Sequence, residues 1–214
     1  MTIRSKQRLN IFKPFNIVLV EPEIPPNTGN IARLCAATRT KLHLVHPLGF
    51  EINDKHLKRA GLDYWDLLDI KEYKNWEDFC LKHSVKRHCE EHSDEAISKT
   101  LGDYRARLAP AERVSANAPL GNDNEVKFWF ISTRGEKNIW DIEFCSSDYL
   151  IFGSETKGLS ENIVEDPKNK DSVISIPMNG KTRSLNLSTA VGIVLYEGLR
   201  QLTVEKRIIE VIPI

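Results

Sequence analysis

Short apolar runs recur along this 214-residue chain and alternate with stretches whose apolar residues have helical spacing. The runs are rich in β-branched and aromatic side chains and are bounded by turn residues or charges, which is typical of β-strands. Because these runs have no polar face, they indicate a parallel sheet that helices cover on both sides. The pattern therefore predicts an α/β protein with an open, mostly parallel sheet, whose strands are 16–21, 41–46, 127–132, 149–153 and 172–177.

The last helix has the clearest pattern. Between Asn186 and Leu202, apolar residues recur at intervals of three and four, which predicts an amphipathic helix. Gly192 and Gly198 permit close approach of a neighbouring element. The pattern leaves open whether the apolar stripe packs in the core, forms a subunit interface, or does both. Its residues are Leu187, Ala190, Val191, Val194, Leu195, Gly198, Leu199 and Leu202.

Residues 84–125 differ from the rest of the chain because they are rich in charge, Ala, Asn and Pro and poor in large apolar side chains. A segment of this composition cannot bury much surface, so we predict a loose helix or a disordered loop. We interpret it as a flexible insertion in one domain that spans residues 14–214. Residues 1–13 are predicted to form an N-terminal extension.

Composition limits the possible functions. The chain carries 30 basic and 30 acidic residues, so nucleic-acid binding would need a local basic surface or one that a second subunit completes. No apolar run approaches the ~20 residues that span a bilayer, and the basic N-terminus has no signal-peptide core. The four cysteines have no disulfide-like spacing. We therefore expect a cytoplasmic protein with reduced thiols and no membrane association.

The first of three polar motifs, EPEIPPNTGNIARLCAAT, follows the first predicted strand. Asn27 or Thr28 is predicted to cap the helix that begins there. Asn30 and Arg33 share one face of this helix, and ligands of open α/β sheets bind at the carboxyl ends of strands. Both are therefore candidate ligand-binding residues, although a capped surface helix with an ordinary arginine fits equally well. The predicted core stripe of the helix is Ile31, Leu34, Cys35 and Thr38.

The other two motifs follow later strands. YLIFGSETKGLS is close to a phosphate-binding loop, but Lys157 precedes its second glycine, so the motif does not match. Gly153 lets the backbone approach a ligand or another loop closely, and Glu155 offers a carboxylate. In SIPMNGKTRSLNLSTA, Ser184 and Asn186 either cap the last helix or surround a small polar ligand.

Two further patterns argue against other kinds of protein. Cysteine and histidine crowd together with a spacing that matches no standard zinc finger, so we predict no metal site. No G-x-G-x-x-G follows a predicted strand, which argues against a nicotinamide-binding protein. The cysteine and histidine residues are Cys80, His83, His88, Cys89 and His92.

In their order and approximate spacing, the three polar motifs resemble the SPOUT superfamily of knotted RNA methyltransferases. Within it they are similar to the tRNA 2′-O-methyltransferases that act on the wobble cytidine or uridine. The resemblance covers most of the chain, and residues 84–125 resemble in-frame insertions of mobile palindromic elements. The stretches that carry it are 16–38, 46–66, 151–159 and 176–202.

This resemblance implies a C-terminal trefoil knot, S-adenosylmethionine as cofactor, and the tRNA anticodon loop as substrate. It also implies a homodimer whose active site takes residues from both subunits. Main-chain groups of three loops would hold the cofactor. Carried over by matched motif, these residues are Ile131, Gly153, Ile176, Met178 and Ser184.

The resemblance places Arg33 at the position of the residue that activates the 2′-hydroxyl. A guanidinium is effectively always protonated, so we assign Arg33 to clamp a substrate phosphate, while a phosphate oxygen or bound water takes the proton. Asn30 and Glu155 would support this geometry. The remaining candidates are Ser184 and Asn186 in the pocket and Tyr196 in the last helix.

Basic residues that could contact RNA phosphates are Arg4, Lys6, Arg8, Lys181 and Arg183. Two other functions remain open. One is methylation of another tRNA position or of ribosomal RNA. The other is a catalytically silent protein that binds S-adenosylmethionine or RNA, against which the intact Asn30, Arg33, Glu155 and Ser184 argue.

Overall fold

The computed structural model describes residues 14–51, 68–83 and 126–204. In these residues, seven strands form one parallel sheet in the order β3-β2-β1-β6-β4-β7-β5. The strands are β1 Asn16–Val20, β2 Lys41–Val45, β3 Ile70–Tyr73, β4 Phe128–Ile131, β5 Lys137–Asn138, β6 Tyr149–Phe152 and β7 Val173–Ser175. The helices are α1 Pro25–Thr38, α2 Trp76–Lys82, α3 Glu161–Val164 and α4 Leu187–Val204, with 3₁₀ turns at Ile139–Asp141 and Lys170–Ser172.

All five predicted strands are confirmed, and two short strands were not predicted. The middle of β3, Lys71 and Glu72, is charged and exposed, so it has no apolar run. Strand β5 is only two residues long and gives no periodicity. Both strands lie at the two edges of the sheet, where pairing on one side needs little apolar sequence.

The register of the central strands brings four loops to one edge. Leu19 of β1 and Ile131 of β4 both pair with Phe152 of β6, so the three strands end at the same level. Ile131 also pairs with Ile174 of β7. The loops that follow β1, β4, β6 and β7 therefore leave the sheet side by side, at its carboxyl edge.

One face of the sheet packs on α1 and α4. Ile17, Leu42 and Leu150 are fully buried there, and burial of each such side chain stabilises the fold by ~1.5–3 kcal/mol. In α1, Ile31 and Cys35 are fully buried, whereas Leu34 and Thr38 are only partly buried. The stripe predicted in the last helix is confirmed as core at Leu187, Val191, Val194, Leu195 and Leu202.

The prediction that Asn27 or Thr28 caps α1 is wrong. The helix already begins at Pro25, and its cap residue is Ile24, which makes no side-chain capping bond. Proline suits the first turn because its φ is preset and the N–H that it lacks has no helical partner there. Asn27 and Thr28 consequently lie inside the helix, where both are buried.

A buried carboxylate holds the amino ends of the central strands. Asp148, just before β6, is fully buried and accepts hydrogen bonds from Lys127 N, Trp129 Nε1 and Cys145 N, each at 2.9 Å. Loss of solvation raises the pKa of Asp148, although these bonds and Lys127 oppose the rise. Burial also raises the pKa of the Cys35 thiol to about 12, so Cys35 stays protonated and acts as a core residue.

The structure divides into two compact units, residues 1–76 with 126–214, and residues 77–125. In the second unit, α2 carries an ion pair of Lys82 and Asp78 one helical turn apart, at 2.8 Å. The predicted insertion at 84–125 and extension at 1–13 lie outside the described residues and stay predictions. No helix in the described ranges has the length and apolarity needed to cross a membrane.

Candidate active site

A pocket of about 270 Å³ opens at the carboxyl edge of the sheet. Its walls are the loops after β4, β6 and β7 and the first turn of α4. The volume lies near the lower end of the range for small-molecule sites. Its apolar lining consists of Ile131, Phe152, Leu159, Ile176, Met178, Leu185, Leu187 and Ala190.

The structure brings the predicted cofactor residues together. Ile131, Gly153, Ile176, Met178 and Ser184 belong to three loops that are distant in sequence, yet all of them line this one pocket. Within the described residues, the main chain of Met178 makes no hydrogen bond, so its amide and carbonyl are available to a ligand. Their placement agrees with the predicted role, which itself stays a prediction.

Gly153 is required because its own loop turns back against it. A Cβ atom at this position would lie 2.0 Å from the carbonyl carbon of Gly158 and 2.1 Å from the nitrogen of Leu159. The turn is closed by a hydrogen bond from Gly158 N to Ser154 O, at 2.9 Å. The sequence left open whether the backbone at Gly153 approaches a ligand or another loop. The structure shows close approach to a loop segment, Gly158 and Leu159, and Gly153 also lines the pocket.

Glu155 holds the start of α1. One carboxylate oxygen accepts from Glu23 N at 2.7 Å, and the other accepts from Ile24 N at 3.2 Å and from Asn27 Nδ2 at 2.9 Å. A neighbouring bond joins the Thr156 hydroxyl to the Glu23 carboxylate at 2.6 Å. A carboxylate at a helix N-terminus also interacts favourably with the helix dipole. Glu155 therefore ties the residues directly before α1, and Asn27 in its first turn, to the loop after β6.

Asn186 caps α4, as one of its two predicted roles required. Its Oδ1 accepts from the amides of Ser188 and Thr189 at 2.9 and 3.3 Å. Its Nδ2 donates to Asn27 Oδ1 at 2.9 Å. Ser184, the other candidate in this loop, is exposed and lines the pocket.

Asn30 and Arg33 lie elsewhere. Both are exposed on α1, and neither belongs to the lining of the pocket in their own chain. Tyr196 of α4 is also outside that lining and is 55% exposed. The helices α1 and α4 lie side by side, with Leu34 beside Gly192. The predicted catalytic set is thus divided between the pocket and an exposed helical surface.

The rim of the pocket is basic. Arg134, Lys157 and Arg183 line it. Arg134 pairs with Glu165 at 3.0 Å and Glu161 at 3.3 Å, whereas Lys157 and Arg183 form no ion pair among the described residues. Sequence reasoning missed Arg134, although its place after a predicted strand was a usable signal. Among the described residues, no group of three His, Cys, Asp or Glu could hold a metal ion. Three of the five cysteine and histidine residues lie outside those ranges.

The fold and the pocket together define the class. A parallel α/β sheet binds its ligand at the carboxyl ends of the strands, and here three strand-end loops build an apolar pocket with a basic rim. A model of the SpoU rRNA Methylase family matches residues 14–88 and 82–196. The chain belongs to this family, which confirms the predicted fold class and methyltransferase resemblance. The threading of the chain into a knot stays a prediction.

Similar proteins agree on one reaction. A tRNA (cytidine(34)-2′-O)-methyltransferase of Saccharophagus degradans is 39% identical over 188 residues, 88% of this chain and 96% of that protein. The enzyme of the same description from Yersinia pestis is 40% identical over 187 residues, 87% of this chain and 93% of that protein. A solved structure, from a study of 2-OH methylation of C/U34 on tRNA, is 32% identical with a TM-score of 0.65. It matches 91% of this chain and 99% of its own.

Proposed function

We propose that this protein transfers a methyl group from S-adenosylmethionine to the ribose 2′-hydroxyl of nucleotide 34, the wobble cytidine or uridine of tRNA. The observation that carries the proposal is the convergence of five predicted cofactor residues on one strand-end pocket. Relatives described with this reaction, which match this chain over almost their whole length, support the choice of substrate.

The residues of the pocket fit this cofactor. Ile131, Phe152 and Leu187 offer apolar surface for an adenine ring, and the Met178 main chain offers a donor and an acceptor that form no hydrogen bond to the described part of the chain. When bound, S-adenosylmethionine supplies a methyl group on a positively charged sulfur, whose C–S bond breaks as the ribose oxygen takes the methyl. The chain then has to orient the ribose and move its proton, and such positioning is worth up to ~7–11 kcal/mol.

Arg33 and Asn30 are assigned to the substrate. The planar guanidinium of Arg33 binds a phosphate next to nucleotide 34, and it remains protonated throughout. The proton of the 2′-hydroxyl passes to a phosphate oxygen or to a bound water. Ser184, exposed at the pocket, contacts the ribose or the cofactor.

A second subunit would complete the site. Arg33 lies outside the pocket of its own chain and is exposed on α1, and the adjacent α4 exposes Ile193 at 39% and Tyr196 at 55%. Exposed apolar side chains beside a packed helix pair suit a subunit interface. We therefore propose a homodimer in which the pocket of one subunit receives Arg33 of the other.

The substrate is a loop of RNA with unstacked bases. Sequence-specific RNA proteins favour such loops over A-form stems, and the anticodon loop meets this need. Lys157 and Arg183 at the rim, with exposed Lys181 nearby in sequence, provide the local basic surface that a chain of zero net charge requires. We place the protein in the cytoplasm, where its tRNA substrate is found.

Methylation of a defined transcript tests the proposal. Purified protein is mixed with unmodified tRNA and radiolabelled S-adenosylmethionine, and the label is mapped by nuclease digestion. We expect label at nucleotide 34 and none in a matched transcript with 2′-deoxyribose at that position. Label at another position would support the alternative tRNA or rRNA substrate. Absence of label, despite binding of S-adenosylhomocysteine, would support the catalytically silent alternative.

A further inference from the structure

The loop between β7 and α4 contains the one Asn-Gly pair of the chain, Asn179 and Gly180. Both residues are exposed, and the loop lines the pocket just before them at Met178 and just after them at Arg183. An asparagine side chain can be attacked by the amide nitrogen of the next residue. A following glycine favours this attack, because it has no side chain to hinder the approach. The pair therefore places a labile amide beside the candidate active site.

The side chain of Asn179 is held in a geometry that assists the attack. Its Oδ1 accepts a hydrogen bond from Lys181 N at 3.0 Å, which closes an Asx turn. This bond withdraws electron density from the side-chain carbonyl. It also places an N–H donor on the oxygen that becomes negatively charged when a nucleophile adds to Cγ, as an oxyanion hole does.

The main chain next to Asn179 has room to bend towards that side chain. Among the described residues, no hydrogen bond between main-chain atoms holds positions 178–185. Gly180 has a φ of +75°, and a Cβ atom placed on it would meet nothing within 4 Å in the described part of the chain. The amide nitrogen of Gly180 can therefore approach Cγ of Asn179 without displacing packed atoms.

We infer that Asn179 is a site of spontaneous deamidation, which lowers the affinity of the protein for RNA. The Gly180 nitrogen gives its proton to solvent and bonds to Cγ of Asn179. The C–N bond of the side-chain amide then breaks, and ammonia leaves. Water opens the resulting cyclic imide at one of its two carbonyls, which gives aspartate or isoaspartate. One amide and one water thus become one carboxylic acid and one ammonia, with no oxidation or reduction.

The product carries a new negative charge beside basic residues of the pocket rim. Lys181 and Arg183 follow Asn179 closely in the sequence, and both are exposed. The effect on RNA rests on the proposed function, which assigns these two cations to phosphates of the substrate. A carboxylate next to them competes with the phosphates and reduces the number of counterions that RNA binding releases.

Peptide mass spectrometry of protein stored in mildly alkaline buffer tests the modification. Samples of native protein and of the same protein in urea are digested at intervals. We expect Asn179 to convert before every other asparagine, partly to isoaspartate, and at least as fast in the native protein as in urea. The reason is that the Asx turn of the native loop assists the attack. Slower conversion in the native protein, or an intact amide at position 179 while other asparagines convert, would overturn the inference.

The variant Asn179→Asp tests the effect on RNA without storage. We expect its Kd for tRNA to be about twofold to fivefold higher than that of wild type at low salt, the size of one exposed ion pair. The slope of log Kd against log salt should become less steep by up to ~1. Asn162→Asp is the matched control, because it adds the same charge at an exposed position of α3 and should bind tRNA as wild type does.

Storage of Asn179→Gln provides a second control. Its side chain is one carbon longer, so the competing ring closes less readily, and the stored variant should keep the tRNA affinity that stored wild type loses. Wild-type affinity in Asn179→Asp, or equal weakening in Asn162→Asp, would overturn the effect on RNA binding. Fresh wild-type protein that binds no tRNA would instead count against the proposed function, and mass spectrometry would still decide whether Asn179 deamidates.

Discussion

Strand β6 has a carboxylate near each end, and each of the two carboxylates accepts three hydrogen bonds. Asp148 precedes the strand and accepts from Lys127 N, Trp129 Nε1 and Cys145 N. Glu155 follows the strand and accepts from Glu23 N, Ile24 N and Asn27 Nδ2. Similar bonding therefore occurs at the closed amino edge of the sheet and at the open carboxyl edge.

Their surroundings differ. Asp148 is fully buried, and its partners belong to β4 and to the segment before β6. Glu155 is only partly buried, lines the pocket, and binds the start of a helix that carries Arg33. We therefore expect the two carboxylates to have different roles. Asp148 stabilises the fold, whereas Glu155 orients groups for the reaction. Variants at the two ends of β6 should therefore differ in whether they lower the stability of the fold or the rate of methyl transfer.

The largest effect is expected at the open end. Arg33→Ala should lower the rate of methyl transfer about a hundredfold, as loss of a group that positions the substrate does. Single-turnover assays with labelled cofactor measure this rate. Binding of S-adenosylhomocysteine by calorimetry should be unchanged, because Arg33 is assigned to the substrate phosphate and not to the cofactor. A near-normal rate in this variant would remove Arg33 from the mechanism.

The next effect concerns both ligand binding in the pocket and the free energy of unfolding. Gly153→Ala would place a methyl group about 2 Å from the main chain of Gly158 and Leu159, so the loop must move. We expect a loss of ~1–3 kcal/mol in the free energy of unfolding and weaker binding of S-adenosylhomocysteine, measured by denaturation and calorimetry.

The matched control for that variant is Gly192→Ala. The nearest atom to an added methyl group there is Leu34 Cδ2 at 4.0 Å, and alanine favours a helix interior by up to ~1 kcal/mol. This variant should be as stable as wild type or more so, with unchanged cofactor binding. Equal damage from both substitutions would contradict the special role of the turn at Gly153.

A pure stability effect is expected at the closed end. Asp148→Asn keeps the shape but turns an acceptor into a donor that faces other donors, which should cost ~1–3 kcal/mol in the free energy of unfolding. The kcat of the folded variant should equal that of wild type, since Asp148 lies at the other end of the strand from the pocket. Urea denaturation and steady-state assays at 25 °C test both statements. A lowered kcat would contradict a purely structural role of Asp148.

The same variant has a predicted pH dependence. Burial raises the pKa of Asp148 in the folded state, so the folded protein binds a proton more readily than the unfolded chain does. Stabilisation from this group is complete below its unfolded pKa of ~3.9 and is lost as the pH rises through the folded value. The stability difference between wild type and Asp148→Asn should therefore be larger at low pH than at pH 8. The opposite trend would show that hydrogen bonding outweighs desolvation.

The smallest effect concerns the predicted insertion. Deletion of residues 84–125, with a short Gly-Ser linker between the remaining ends, should leave a soluble enzyme with unchanged kcat. The reason is compositional, because this segment has few large apolar side chains for a core. Expression yield, thermal unfolding and the methyl-transfer assay check this expectation. Insoluble protein would show that residues 84–125 are structural.

Sequence patterns predicted most of the sheet, and the resemblance predicted five cofactor residues that the structure places around one pocket. The unbroken apolar runs predicted five of the seven strands, and the spacing of apolar residues predicted the stripe of α4. The pocket residues were found by resemblance, because their main-chain groups leave no chemical signature in the side chains. The predicted cap of α1 is wrong. Asn27 and Thr28 are of types that commonly cap helices, but the helix begins before them, at Pro25.

The contacts among Asn27, Glu155 and Asn186 could not be predicted from local pattern. Asn27 is 128 residues from Glu155 and 159 residues from Asn186 in the chain, and nothing in the spacing of any one motif indicates that these side chains meet. Only the parallel register, which ends β1, β4 and β6 at the same level, brings them together. The same register places the pocket at this edge.

Nucleoside analysis of cellular tRNA tests the central claim most directly. Total tRNA is prepared from a strain that lacks the protein, and the anticodon fragments are examined by mass spectrometry. We expect nucleotide 34 of some tRNAs to lose a 2′-O-methyl group, which the wild-type gene restores and the Arg33→Ala gene does not. A deletion strain whose wobble nucleotides carry all their 2′-O-methyl groups would contradict the account.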